Sequence, residues 1–163
     1  NLLYGFAVCR MKAWGVNESG HVVGNYHYCG ALVHVEAAYI WNGIDDHSKH
    51  LGTLPGGESS AAFGINDDRF VVGYSDALIA GRIPDGLFRE RAFIWHEHFG
   101  MKALPAPSGF TLYTDCRAHA VSSRKSDGLI QAAGYCTLSG KKRAVRWDIQ
   151  VGKKITQTPP VKR

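Results

Sequence analysis

Short apolar runs alternate with turn-forming residues along the whole chain. Valine and isoleucine are frequent in these runs, as at residues 22–24 and 71–73, and other runs end on an aromatic residue, as at residues 37–41. β-Branched and aromatic residues are typical of strands, and the glycine, asparagine, aspartate and proline residues between them indicate tight turns. Extended apolar stripes with the helical period of about 3.6 residues are missing from the pattern. The sequence therefore predicts an all-β fold.

Three sequence elements recur three times in the same order, which predicts tandem structural units. The first is an Ala-x-Gly-Ile-Asn run followed by a Val-Val-Gly strand, at residues 13–24, 62–73 and, more degenerate, 120–134. The second ends on tryptophan, at Trp41, Trp95 and Trp147. The third runs into proline, at residues 51–55, 102–105 and 154–159. Each unit is expected to form four antiparallel strands, and the units span approximately residues 9–56, 57–108 and 116–160 of one domain covering residues 1–163.

The loop that joins the first two strands differs between units. Residues 17–20 end on a glycine, which accepts positive φ at little cost. Residues 66–69 read Asn-Asp-Asp-Arg, so in the middle unit an asparagine or aspartate is expected to replace the glycine. The repeated tryptophans are interpreted as packing residues. Trp14 aligns with Phe63 and Val121 and is expected to pack as well.

The four cysteines form two pairs with the same separation. Cys9 and Cys29 are centred on the first hairpin loop, and Cys116 and Cys136 are centred on the loop at residues 124–128. Opposed residues of a hairpin lie within disulfide range, so we expect the two local bridges Cys9–Cys29 and Cys116–Cys136. Disulfides are typical of extracellular or periplasmic proteins. The alternative is four buried free thiols, which a thiol titration would detect.

The repeated motifs resemble those of the HAF-type extracellular repeat family. The resemblance is carried by Gly-Ile-Asn, Val-Val-Gly and Ala-Phe-Ile-Trp, and by Leu-Gly-x-Leu-Pro-Gly-Gly at residues 51–57. It is strongest over residues 37–73 and 91–105, and the third unit departs from it at Ser122 and Ser123. The resemblance implies a secreted protein with β-propeller-type blades. It implies no catalytic residues.

Three units leave the closure of the fold open. Propellers usually contain four or more blades. The chain is expected either to belong to a longer propeller, or to form a homo-oligomer such as a six-bladed ring of two copies, or to close as a β-trefoil-like fold. Propeller-type blades are the favoured interpretation. The molar mass in solution distinguishes a dimeric ring from a compact monomer.

The net charge of +5 is concentrated at the end of the chain. Residues 141–163 contain eight of the 19 basic side chains and one of the 14 acidic side chains. We interpret this segment as a solvated basic hairpin and do not expect a nucleic-acid partner. The sequence contains no apolar stretch of about 20 residues, so no membrane span is predicted.

Histidines are the reactive residues that cluster in the sequence. His47 and His50 follow Trp41, and His96 and His98 follow Trp95, so equivalent turns of neighbouring units carry them. They are candidate ligand-binding residues, together with Arg82 in a long insertion at residues 76–89. Paired imidazoles also occur in metal sites, although solvated turn residues are the simpler interpretation. No cofactor motif and no nucleophile motif is present.

The predicted function is a secreted, disulfide-stabilised binding or adhesion module with a glycan or protein ligand. Repeat proteins bind through variable loops on one face, which favours the insertion in the middle unit. A metal-dependent hydrolase or lyase that uses the loop histidines is the alternative. A purely structural role in a larger propeller or assembly is the third possibility.

Overall fold

The computed structural model describes residues 7–29, 34–43, 48–78, 88–108 and 114–150. These residues form eleven β-strands and no helix, so no helix in them is long and apolar enough to cross a membrane. The first sheet contains β1 (Ala7–Val16), β2 (Val22–Cys29), β3 (His34–Trp41) and β4 (Ser48–His50). The second contains β5 (Ser60–Ile65), β6 (Val71–Leu78), β7 (Phe88–His96) and β8 (Gly100–Ala103). The third contains β9 (Cys116–Val121), β10 (Leu129–Leu138) and β11 (Lys141–Gln150).

All three sheets are antiparallel, and neighbouring strands follow the order of the chain. The all-β prediction is confirmed, as is the division into repeated antiparallel sheets. The strand predicted at residues 154–159 lies outside the described residues. The predicted fourth strand of the first unit is present as β4, but it ends at His50, and residues 51–55 that follow it are irregular. Leu51 and Leu54 of that segment are buried, which explains the apolar pattern that suggested a strand.

The sheets stack face to face with an apolar core in each gap. β5 packs against the strands of the first sheet, and β9 packs against the strands of the second. In the middle sheet, residues that alternate along a strand pack into different cores, because successive side chains of a strand point to opposite faces. Val71, Phe93 and Trp95 pack towards the first sheet. Val72 and Ile94 pack towards the third sheet, so the middle sheet is buried on both faces.

The free face of the third sheet is polar. The register makes Gly24, Gly73 and Gly134 equivalent, because each lies opposite an alanine of its first strand. Counted from these glycines, and from the repeated tryptophans, the core residues Val72 and Ile94 correspond to Ala133 and Arg146. Both of the latter are exposed, and the Arg146 guanidinium lies 3.0 Å from Asp148 Oδ2. At these two positions the third sheet therefore lacks the apolar packing residues of the middle sheet.

Each first strand contains a β-bulge opposite the repeated glycine. The bulged residues are Trp14, Phe63 and His119, which corrects the alignment of Val121 with Trp14 and Phe63. Their rings form a row, with centroids 5.7 Å apart for Trp14 and Phe63 and 4.7 Å apart for Phe63 and His119. Trp14 remains 51% exposed, so it contacts a neighbour without being a core residue.

Both predicted disulfides are confirmed. Cys116 and Cys136 lie directly opposite each other in the register, with Cα atoms 4.1 Å apart, and both are buried. Cys9 occupies a second bulge of β1, its Cα lies 5.8 Å from that of Cys29, and both residues are exposed. The two bridges therefore close hairpins of the same size in different surroundings.

The middle hairpin loop differs from the prediction. Arg69, and not an asparagine or aspartate, has the positive φ, which is 62° and compares with 80° for Gly20 in the first unit. Its guanidinium lies 2.6 Å from Glu97 Oε1. A non-glycine residue rarely adopts this conformation, and the contact with Glu97 holds the side chain in place.

The asparagine of the repeated motif links neighbouring sheets. Asn17 Nδ2 donates to the Asn66 carbonyl oxygen at 3.0 Å, and Asn66 Nδ2 donates to the Ser122 carbonyl oxygen at 2.8 Å. The Oδ1 atoms accept from the backbone N–H groups of His21 and Phe70, which closes each hairpin loop. One amide therefore fixes both a turn and the position of the next sheet.

Replacement of Asn66 tests this double role. We expect Asn66→Ala to lower the free energy of unfolding by about 2–3 kcal/mol, because the buried Phe70 N–H and the partly buried Ser122 carbonyl lose their partners. Asn66→Ser is the matched control, because Ser122 occupies the equivalent position of the third sheet. There the serine hydroxyl accepts from the Gln131 N–H, so a serine at position 66 can keep the bond to the Phe70 N–H. Asn66→Ser should cost about 1 kcal/mol less than the alanine variant in urea titrations. Equal losses for the two variants would show that the hydrogen bond from the Phe70 N–H to the side chain at position 66 contributes nothing to stability.

Candidate functional site

An open cleft lies at the end of the stacked sheets where β6 ends and β7 begins. Its volume is about 580 Å³, within the range of ligand pockets. Two described residues of the insertion singled out in the sequence, Asp76 and Arg89, line the cleft. Residues 79–87 of the insertion lie outside the described residues. The other lining residues come from the first two sheets and from the segments that lead into β5 and β9: His27, Glu36, Ser59, Tyr74, Phe88, Glu90 and Asp115.

Two glutamates occupy equivalent positions in the cleft. Glu36 and Glu90 each lie five residues before the repeated tryptophan of their sheet. Glu36 Oε2 accepts the Tyr74 hydroxyl at 2.6 Å, and Glu36 Oε1 lies 3.1 Å from His27 Nε2. Glu90 forms a bidentate ion pair with Arg117, in which each carboxylate oxygen accepts one hydrogen bond. The Arg117 guanidinium also lies over the Tyr74 ring, 4.3 Å from its centroid, so the three sheets are connected at this end.

The two aspartates are held by backbone groups. Asp76 Oδ1 accepts from the N–H groups of Glu58 and Ser59, both at 2.7 Å. Asp115 Oδ1 accepts from the Glu90 N–H at 3.1 Å. A carboxylate has room for about four hydrogen bonds, so each can still accept from a ligand. The acceptors of the cleft are thus fixed in place before any ligand binds.

The protonation states of Tyr74 and Arg117 are also fixed in this network. Burial, and then the hydrogen bond to Glu36, raise the pKa of Tyr74 well above its usual value, so its hydroxyl remains a donor. The hydrogen bond from Arg117 to Glu90 raises the pKa of the guanidinium. Near neutral pH the tyrosine is therefore neutral and the arginine is positive.

An apolar margin adjoins the carboxylates. Phe88 is 39% exposed and lies opposite Leu78, which is 47% exposed, in the β6–β7 register. These are two of the six exposed large apolar side chains among the described residues. The cleft therefore combines acceptors, one arginine and an apolar edge.

Two of the predicted ligand-binding residues, His47 and Arg82, lie outside the described residues. His50 lies on β4 and packs on Tyr26, with ring centroids 5.2 Å apart, and its Nε2 is 3.3 Å from the Tyr28 hydroxyl. Burial lowers the pKa of His50. None of the described histidines proposed from the sequence lines the cleft.

His96 and His98 lie together in the turn after β7, with ring centroids 4.8 Å apart. His96 is buried against Phe70, and burial lowers its pKa. Its Nδ1 accepts from the His98 N–H at 3.3 Å, and its Nε2 lies 3.2 Å from the Asp68 carbonyl oxygen. Both ring nitrogens therefore have protein partners, as in a structural histidine.

The same turn brings together one potential metal ligand from each of His96, Glu97 and His98. These atoms lie within 4.8 Å of one another. The carboxylate of Glu97 is already paired with Arg69 at 2.6 Å. A metal bound to all three residues would compete with Arg69 for the Glu97 carboxylate and would displace one hydrogen bond of His96.

The sequence interpretation missed the residues that build the cleft. Glu36 and Glu90 occupy one column of the repeat, which a comparison of equivalent positions could have identified. Arg117 gives no such signal, because its role depends on how the third sheet packs.

Searches with this chain found no matching family model, no matching curated protein and no matching solved structure.

Proposed function

We propose that the chain is a secreted, disulfide-stabilised binding or adhesion module that binds a glycan or protein ligand in the cleft at the foot of the insertion. The observation that carries the proposal is a set of carboxylates held rigid beside an exposed aromatic ring. Fixed polar groups next to an apolar wall are typical of binding pockets. Because these groups are held before binding, a ligand loses little affinity to their ordering.

The proposal includes the architecture and the compartment. The stacking of each sheet on the preceding one is compatible with open propeller-type blades of the HAF-type repeat. All described cysteines are in disulfides, which favours an extracellular or periplasmic location.

A ligand screen with a cleft variant tests the binding function. The intact chain is applied to immobilised neutral and charged glycans and to a peptide library. We expect Phe88→Ala to lose binding to any ligand found, with an unchanged melting temperature, because its ring is the exposed aromatic wall of the cleft. Met11→Ala is the matched control, since Met11 is an exposed apolar residue on β1. Ligands that bind both variants equally would show that the cleft is not the site.

A metal-dependent hydrolase or lyase is the second candidate, and the turn containing His96 and His98 favours it. Zinc titration by calorimetry should then show binding that His98→Ala abolishes, because an exposed imidazole is the ligand most available to a metal. His98→Ala keeps the backbone N–H that donates to His96 Nδ1 and the packing of His96 on Phe70, so the melting temperature is the control for folding. A titration without heat above buffer would remove this candidate.

A further inference from the structure

We propose that the cleft selects a peptide segment in which a basic side chain lies next to an apolar one. This inference rests on the proposed binding function and names the chemistry of the ligand. It is argued from the charge of the cleft and from the apolar pair at its margin.

The cleft is acidic although the chain is basic. Four carboxylates line it, from Glu36, Asp76, Glu90 and Asp115, whereas Arg89 is its one arginine or lysine. The chain as a whole carries a net charge of +5. Like charges that share a site repel one another, and an added cation relieves this repulsion.

The protein supplies only part of that compensation. Arg89 lines the cleft, Arg117 neutralises Glu90, and His27 lies beside Glu36, so two arginines stand against four carboxylates. Asp76 and Asp115 accept from backbone N–H groups, which satisfies oxygen atoms without supplying a full positive charge. A lysine or arginine side chain of a ligand would therefore meet carboxylates that are fixed in position and incompletely neutralised.

The apolar pair at the margin defines the second feature of the ligand. Leu78 and Phe88 face solvent from adjacent strands, directly beside the acidic wall. Contiguous exposed apolar side chains rimmed by polar groups are typical of protein interaction sites. A peptide can place an apolar side chain on this pair while a neighbouring basic side chain enters the cleft. Glycans with sulfate or uronate groups would be repelled by the carboxylates.

The test uses capped fluorescent pentapeptides and the intact chain. The probe is Lys-Phe-Lys-Leu-Lys, and the comparison peptides replace either its lysines by glutamate or its apolar residues by serine. We expect binding of the probe alone in anisotropy titrations, and weaker binding at high salt. Asp115→Asn keeps the acceptor for the Glu90 N–H and removes one charge, so affinity should fall about fivefold.

Asp127→Asn is the matched control. Asp127 also accepts a backbone N–H, that of Leu129, but it lies in the turn at the opposite end of the sheets. Equal affinities of the Asp115 and Asp127 variants would overturn the inference, and so would equal binding of the glutamate peptide. A glycan that binds in a Phe88-dependent manner, with no peptide binding, would overturn the inference while leaving the binding function intact. If neither peptides nor glycans bind the folded chain, both proposals fail.

Discussion

Gly73→Ala is expected to lower the free energy of unfolding by more than about 4 kcal/mol, which is most of the stability of a marginally stable domain. A Cβ atom at Gly73 would lie 1.9 Å from the Ala61 carbonyl oxygen and 2.9 Å from Phe93 Cε1. The closest obstacle is backbone of the adjacent strand β5, which cannot rotate away as a side chain could. The β-bulge at Phe63 lies next to this contact.

Gly100→Ala is the matched control for this prediction. Gly100 has a φ of 71°, and no atom lies within 4 Å of the place that an alanine methyl group would take, so the cost is conformational only. We expect a loss of about 1–2 kcal/mol. Urea midpoints of the two variants measure the difference. A Gly73 variant as stable as the Gly100 variant would show that the strands can separate locally without cost.

Removal of the buried disulfide is expected to have the second-largest effect. Both disulfides join cysteines 20 residues apart, so the loop-closure contribution should be about 3 kcal/mol for each. Cys116 and Cys136 are also part of the core between the second and third sheets. The double variant Cys116→Ala, Cys136→Ala should therefore lose a further 1–2 kcal/mol, roughly, through lost packing.

The pair Cys9→Ala, Cys29→Ala is the internal comparison, because it removes a loop of the same length at an exposed position. Chemical denaturation of the two double variants gives the difference between them. If the exposed pair proves as costly as the buried one, loop closure alone accounts for the stabilisation. The contribution of core packing would then be refuted.

Local patterns predicted most of the fold correctly. The alternation of strand and turn residues gave the hairpins, and the matched cysteine spacing gave both bridges, because a hairpin fixes its own register. The third unit was misaligned because the alignment relied on residue identity, whereas the position of the β-bulge defines which residues are equivalent. His119 occupies the bulge that Trp14 and Phe63 occupy, but it carries a polar imidazole where they carry large apolar rings.

The cleft was harder to predict than the fold. The clustering of histidines pointed to His96, whose two ring nitrogens are occupied by backbone partners. Glu36 and Glu90 look like ordinary solvated residues until the packing brings Tyr74 and Arg117 against them. The insertion at residues 76–89 was the better guide, because Asp76 and Arg89 both line the cleft. Contacts between sheets, which no local pattern encodes, determine the rest.

The two outer faces of the stack are unlike. On the first sheet, β1 carries exposed large apolar side chains at Val8, Met11 and Val16, whereas Trp14 packs on Phe63 of the second sheet. On the third sheet, Arg146 stands where the middle sheet has Ile94. Head-to-tail contacts that do not close generate filaments. If the third sheet of one molecule stacked on the first sheet of another, the Arg146 charge would be buried against apolar surface. Such stacking would therefore cost the desolvation of the Arg146 guanidinium, whereas Ile94 packs against the third sheet without that cost.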